Sequence, residues 1–266
     1  MALSGSTAYH RSDSSLRELT LLPASVSAVL PICNEDGAIR EVIECLVNTL
    51  ATVLAEFEII AVDDGSTDET ATILRTLAAE NGNVRVVGHA VNEGYGSAVR
   101  TGIAAARFAV TLIFDADGQF DASDVVPALM ALNTSRCVLG IRAPRADNLY
   151  RRCLGRFGNW LAKPIVGFRV FDVNCGLKLF YTADLRPLKL RSTGGFLSTE
   201  LLRTLGLRAD SVRQMTVSHR PRRSGSATGG TLRTMLQICR EAAREMPAIV
   251  QRCPASAPPV GSRVHP

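Results

Sequence analysis

Through the first 141 residues, short apolar runs rich in β-branched side chains alternate with longer stretches of helical period. That alternation predicts an α/β domain in which a mostly parallel sheet is linked by crossover helices. The strand candidates are Val26–Leu30, Phe57–Val62, Val84–Val87, Thr111–Phe114 and Cys137–Ile141. Between them lie helical candidates near Ile39–Leu54, Glu69–Ala79, Gly96–Phe108 and Ser123–Leu132. Asp68 and Ser123, both good N-cap types, signal entry to the second and fourth of these. Beyond residue 141 the regularity fades into a loop-rich stretch that includes Tyr150–Val166, followed by a strand-like run Leu177–Tyr181 and an amphipathic helix near Leu232–Val250. The expected organisation is a flexible segment over 1–24, one domain over 25–230 divided near residue 141, a C-terminal helix over 231–252, and a disordered tail over 253–266.

Composition supports a globular chain, with 46% hydrophobic and 21% charged residues. The net charge of +5 conceals a division along the chain. Residues 1–139 carry 18 acidic against 8 basic side chains, whereas residues 140–223 carry 5 against 17. An acidic half suited to a cation is thus followed by a basic half suited to phosphate, to an anionic surface, or simply to solvation. Aromatic residues at 5% leave no stacking platform for nucleic acid, which is not an expected partner. The seven cysteines are scattered without a CxxC pair, as in a reduced cytoplasmic protein. No apolar run is long enough to cross a bilayer, and the first 24 residues lack the pattern of an export signal.

The polar residues are informative because of where they fall. In an open parallel sheet, ligands bind beyond the carboxyl ends of the strands. Three strand candidates run directly into such residues: Leu30 into Pro31, Asn34 and Glu35; Val62 into Asp63 and Asp64; Phe114 into Asp115 and Asp117. Asp115 and Asp117 flank one small residue, Ala116, so strand alternation sends both carboxylates to the same side. Their mutual repulsion would be relieved by a hard divalent cation, Mg²⁺ or Mn²⁺, which could clamp a diphosphate; Asp-Ala-Asp-Gly is also ordinary turn chemistry. Asn92, Gly94 and Gly96 form a glycine-bearing turn ahead of a helix, able to approach an anion or simply to turn the chain.

Four segments taken together resemble family-2 glycosyltransferases: Val29-Leu-Pro-Ile-Cys-Asn-Glu35, Val62-Asp-Asp-Gly-Ser-Thr-Asp68, Asn92-Glu-Gly-Tyr-Gly-Ser-Ala98 and Asp115-Ala-Asp-Gly-Gln119. Their order and spacing are most similar to the dolichyl-phosphate mannosyltransferase and polyprenyl-phosphate glycosyltransferase branch, over about residues 25–225. The resemblance implies the A-type glycosyltransferase fold, a GDP- or UDP-linked sugar donor and inversion at the anomeric carbon. It implies that Pro31, Glu35 and Asp64 surround the nucleoside and that Asp115, Asp117 and Gln119 surround the metal. Asn34, Asp63, Asn92, Gly94, Gly96, Asp115 and Ala116 complete the set expected around the nucleotide sugar. Gly140-Ile-Arg142, Arg151, Arg152, Asp172-Val-Asn-Cys-Gly-Leu-Lys178 and His219-Arg-Pro-Arg-Arg-Ser-Gly225 resemble later landmarks of the family. The chain departs from many relatives at Gly155, where they carry Ser, and at Gly225-Ser-Ala-Thr-Gly229, which lacks a Lys; some relatives also append hydrophobic helices.

These residues suggest a division of labour. A cation between Asp115 and Asp117 would stabilise the departing diphosphate, with Asp117 counted as catalytic. Arg142, Arg151, Arg152 and Arg222 could present an acceptor phosphate, since guanidinium forks match its geometry. Asp172 is the candidate base or orienting residue, and Glu200 a weaker one. A phosphate monoester, with a second pKa of about 6, attacks unaided, whereas a hydroxyl needs a base. The expected function is transfer to a polyprenyl phosphate at the cytoplasmic membrane face by a cytoplasmic, peripherally associated protein. The alternatives are a soluble hydroxyl acceptor, or a non-catalytic nucleotide-binding relative.

Overall fold

The computed structural model describes residues 22–23, 25–143, 158–160, 162–222 and 232–252. Arg151, Arg152, Gly155 and Gly225–Gly229 lie outside the described residues, as does most of the expected Tyr150–Val166 loop. The chain runs β1 Ser25–Ile32, α1 Ile39–Val53, β2 Glu56–Asp64, α2 Thr70–Glu80, β3 Val84–His89, α3 Tyr95–Ala105, β4 Val110–Phe114, a 3₁₀ turn Ala122–Asp124, α4 Val125–Leu132 and β5 Cys137–Arg142. After residue 176 follow β6 Leu177–Tyr181, α5 Thr182–Leu185, α6 Leu197–Thr204, a second 3₁₀ turn Ala209–Ser211, β7 Val212–Val217 and α7 Leu232–Arg252.

The seven strands form one sheet in the order β3-β2-β1-β4-β6-β5-β7. β3, β2, β1 and β4 pair in parallel, as do β5 and β7; β6 alone runs antiparallel, between β4 and β5. Alternation along the strands explains how both faces are buried. From β1, Val26, Ala28, Leu30 and Ile32 join one core with Leu46 and Leu50 of α1 and Leu129 of α4, while Val29 meets Ala98 of α3 across the opposite face. Farther along that second face, Ile113 and Phe180 pack with Leu201 and Leu202 of α6. β6 turns the sheet so that its first residues, the end of β4 and the end of β5 share one edge.

Every expected strand is present, but several boundaries move for identifiable reasons. β2 continues through Asp63 and Asp64 because both pair with β3, opposite Gly88 and His89. α3 stops at Ala105 rather than Phe108, since the amides of Arg107 and Phe108 are captured by Ser27 and Glu58 at the base of the sheet. Ser123 is not the cap expected ahead of α4: Asp121 accepts from the Ser123 backbone amide and hydroxyl. β7 has no counterpart among the expected strands. It is an edge strand in which only Val217 is buried, so its sequence Val-Arg-Gln-Met-Thr-Val lacks the alternation of a half-buried strand.

α3 lies so close to β1 that a Cβ placed on Gly102 would come within 2.1 Å of Val29 Cγ1. Glycine is required there to bring the Asn92–Gly96 turn onto the sheet edge. Gly102→Ala is therefore expected to lower stability by about 1–3 kcal/mol through overpacking, read as a reduced urea midpoint with an unchanged m value.

Candidate functional site

The ends of β1, β2, β4, β5 and β7 and the start of β6 gather their polar residues on one edge. β4 enters the site through a buried run, Val110–Phe114, and delivers Asp115 and Asp117. The intervening Ala116 is buried in the core behind them, so only its backbone can face a ligand. The Asp115 amide donates to the carbonyl of Gly176 at 3.1 Å, and Tyr95 donates its hydroxyl to Asp115 Oδ1 at 3.3 Å. Gly176 has no substitute: a Cβ there would lie 2.1 Å from Asp115 Oδ2. Burial and the neighbouring Asp117 carboxylate push the Asp115 pKa up to about 6, against the opposing pull of Lys178 and Arg142. An uncompensated negative site of this kind favours a cation.

Glu35 stands across from this pair. Its Oε1 accepts from Arg222, whose other terminal nitrogen lies 3.7 Å from Asp117 Oδ2. Its Oε2 is buried without a hydrogen-bond partner, and burial raises its pKa to about 7 despite Arg222. Arg222, expected as an acceptor-phosphate ligand, thus points at the carboxylates. It is brought there because the segment after β7 is stitched to the β4 loop: the Arg220 amide donates to Gln119 O at 2.8 Å, and Gln119 Nε2 donates to Arg220 O at 3.0 Å. His219 adds an edge-on contact to Phe120, and Ser218 N donates to Asp124 at 2.7 Å.

The structure brings Pro31, Asn34, Glu35, Asp63, Asp64, Asn92, Gly94 and Gly96 to the same edge, yet uses several of them internally. Asn34, at φ 56°, accepts from Thr67 N at 2.8 Å, and its own amide donates to Ser66 Oγ at 3.0 Å. It thereby clamps the loop after β1 to the turn after β2 through its backbone amide and side-chain oxygen. Asp63 Oδ1 accepts from Ser66 N. Asp64 accepts from the amides of Glu93 and Gly94, both at 2.8 Å, and contacts His89 Nδ1 at 2.7 Å; His89 Nε2 lies 2.9 Å from Thr101 Oγ1. Asn92 Nδ2 donates to Cys33 Sγ. Gly94 and Gly96 do not form an open anion cradle: Gly94 N is taken by Asp64, Gly96 N by Thr193 O at 2.7 Å. Their missing side chains instead admit the 192–194 loop, since a Cβ on either would lie within 2.5 Å of a carbonyl of that loop.

On the far side of Asp115, Arg142 grips Asp172 through two bonds of 2.7 and 2.8 Å. Asp172 is 4% exposed. Of the two roles expected for Asp172, base or orienting residue, a carboxylate held this way suits the second, as a partner that aims Arg142. Glu200 is also spoken for, accepting from the backbone amides of Arg191 and Ser192 and so bracing the 192–194 loop. Three contributors were given no individual role in the sequence: His89, and Tyr95 and Lys178, which were quoted only as members of segments that resemble the family. Lys178 also interrupts the apolar run of β6, a second signal beside its place in the Asp172–Lys178 segment. It is buried, donates to Cys175 O, and its pKa is lowered by desolvation while Cys175, Asp115 and Asp172 act against that shift.

Among the described residues, no three His, Cys, Asp or Glu side chains are arranged to hold a metal by themselves. Asp115, whose pKa is raised and which Gly176 leaves room for, together with the neighbouring Asp117 fits a divalent cation that would complete its shell with phosphate oxygens and water. Gln119, whose amide nitrogen is occupied by Arg220 O, could add only its oxygen.

Comparison with known proteins agrees with this geometry. The family model for glycosyl transferase family 2 matches residues 27–180, more than half of the chain. An undecaprenyl-phosphate 4-deoxy-4-formamido-L-arabinose transferase of Edwardsiella ictaluri is 30% identical over 166 residues, covering 61% of this chain and 51% of that protein. A dodecaprenyl-phosphate galacturonate synthase of Rhizobium johnstonii is 28% identical over 218 residues, covering 80% of this chain and 64% of its own. The chain therefore spans about half to two thirds of the length of these relatives. Glucosyl-3-phosphoglycerate synthase of Mycobacterium tuberculosis, solved with Mn²⁺, UDP and glucosyl-3-phosphoglycerate, superposes with a TM-score of 0.62 at 19% identity over 92% of this chain and 86% of that one. The A-type glycosyltransferase fold expected from the sequence is the fold observed.

The raised pKa of Glu35 has a measurable sign. Its favourable contribution is fully present below about pH 4.5, where the carboxyl is protonated folded or unfolded, and is lost as pH rises to about 7. Glu35→Gln is accordingly expected to gain stability relative to the parent across that window, by on the order of 2–3 kcal/mol, in urea titrations of metal-free protein at a series of pH values. A constant difference between the two proteins from pH 4.5 to 7.5 would contradict this assignment.

Proposed function

The chain belongs to glycosyl transferase family 2, and from that premise we propose that it transfers a sugar from a nucleotide diphosphate donor to a polyprenyl phosphate. The observation that carries the reading is the Asp115–Asp117 pair at the end of β4, held beside Glu35 in a site whose charge favours a cation. A divalent metal bound there supplies charge neutralisation to the departing diphosphate, usually the largest catalytic contribution in such a transfer. The Mn²⁺ and UDP bound by the mycobacterial enzyme of the same fold support both a metal and a nucleotide donor. Pro31, Asp63 and Asn92 would border the donor, and Arg222, now paired with Glu35 and near Asp117, could turn to the diphosphate if those carboxylates held a metal.

The acceptor assignment rests on which carboxylates are free. A hydroxyl acceptor needs a base, but Asp172 is committed to Arg142 and Glu200 to backbone amides. A phosphate acceptor needs none: one of its oxygens attacks the anomeric carbon, the bond from that carbon to the diphosphate oxygen breaks, and configuration inverts. Arg142, oriented by Asp172, is the guanidinium that would receive the acceptor phosphate. The polyprenyl-phosphate substrates named for the two relatives support this choice. In our reading the lipid acceptor is met by peripheral association at the cytoplasmic face; among the described residues no helix is long and apolar enough to cross a membrane.

The test is to supply the purified protein with a panel of UDP- and GDP-sugars, Mn²⁺ or Mg²⁺, and undecaprenyl phosphate in detergent. Lipid-linked sugar is expected, with transfer reduced at least about a hundredfold in Asp115→Asn and Asp117→Asn. Arg142→Lys is expected chiefly to raise KM for the lipid phosphate, because a point charge replaces a bidentate fork. Product formed only from a soluble hydroxyl compound would overturn the lipid assignment.

A further inference from the structure

Of the large apolar side chains that are exposed among the described residues, three lie on segments that adjoin one another. Trp160 is 68% exposed, Phe171 49% and Leu236 50%. Asn159 ties the first two, donating to Phe171 O at 2.6 Å and accepting from Val173 N at 2.9 Å. Leu236 adjoins through Met235, whose Cε sits 3.8 Å from where a Cβ on Gly158 would be. Single exposed apolar residues are ordinary, but a cluster containing tryptophan and phenylalanine marks a contact surface.

The charges around the cluster specify the kind of contact. Lys163 and Arg169 are exposed beside Trp160 and Phe171, with the Arg169 guanidinium 4.6 Å from the Phe171 ring centre. On α7, Leu236, Arg240, Ala243, Arg244 and Pro247 form an exposed stripe at helical spacing. The acidic residues of these segments turn inward: Asp172 to Arg142, Glu241 to Thr193 and the Phe196 amide, and Glu245 toward Arg191. α7 also lays Ile238 against Gly195 and buries Ile249, so its apolar side is spent on the protein and its cations face out. Exposed aromatic and aliphatic side chains whose exposed charged neighbours on the described parts of these segments are cations complement an anionic lipid surface.

We infer that Trp160, Phe171 and Leu236, framed by Lys163, Arg169, Arg240 and Arg244, form a face that docks on a bilayer bearing anionic headgroups. The inference rests on the lipid-phosphate reading above and gives it an orientation. Phe171 immediately precedes Asp172, which holds Arg142, so the docking face borders the end of the site assigned to the acceptor phosphate. A polyprenyl chain embedded in the docked bilayer would then leave its phosphate at Arg142.

Trp160 is the single tryptophan of the chain and serves as the reporter. Full-length protein is titrated with phosphatidylcholine vesicles with or without phosphatidylglycerol, following tryptophan emission and co-sedimentation. A blue shift and quenching by brominated lipid are expected with the anionic vesicles alone, and both should decline as salt is raised. Arg240→Gln and Arg244→Gln should each weaken binding roughly fivefold, and Phe171→Ser should reduce the shift, with far-ultraviolet dichroism unchanged. Emission unmoved by anionic vesicles, or moved equally by neutral ones, overturns the inference. So does a blue shift that depends on protein concentration without lipid, which would assign the face to a second copy. Turnover with a short-chain, water-soluble polyprenyl phosphate separates the two claims: transfer without vesicle binding sinks the docking face alone, whereas vesicle binding without transfer sinks the proposed acceptor.

Discussion

Two carboxylates one residue apart at the tip of a buried strand repel each other, and burial denies them the water that would screen that repulsion. The surrounding structure answers this constraint. Gly176 presses its backbone against Asp115, Tyr95 donates to it, Lys178 lies buried nearby, and Arg222 reaches across to Asp117 and Glu35. These groups leave the Asp115 pKa raised, so the site is held together while still favouring additional positive charge.

The same edge is built by loops that hold one another. Asp64 binds the turn after β3, Asn34 binds the turn after β2, and the glycines at 94 and 96 let the 192–194 loop close on the first of these turns. Glu200 and Glu241 then brace that last loop from α6 and α7. Buried polar groups that are satisfied in this way rigidify a site, and each loop depends on a partner from a distant part of the chain. The acidic first half and the basic second half are therefore one site in space. Under the proposed function, the excess negative charge would meet a cation on the nucleotide side and the excess positive charge would lie toward the acceptor.

Commitment of Asp172 to Arg142 changes the chemistry available more than any other single contact. An aspartate near a reaction centre reads as a base until its partner is known. Paired bidentately and buried, it becomes a device for aiming a guanidinium, and an acceptor that arrives already ionised becomes the consistent choice.

Five parallel-sheet strands, the helices between them and the carboxylates at strand ends were legible in the sequence, because periodicity and the identity of a residue after a strand are local properties. The four-segment resemblance added the fold. What the sequence could not show was which polar groups are already used. Gly94, Gly96, Asp172 and Glu200 all looked available to ligands, yet each commits its hydrogen bonds to a segment between 8 and 97 residues away, such as Gly96 to Thr193 or Glu200 to Ser192. β7 was hidden because an edge strand buries too little to impose alternation. Local chemistry thus determined where the site is and that it is acidic at one end and basic at the other. Tertiary pairing alone decided which of its residues remain open to a ligand, because a hydrogen bond once made to a distant backbone is no longer available to a substrate.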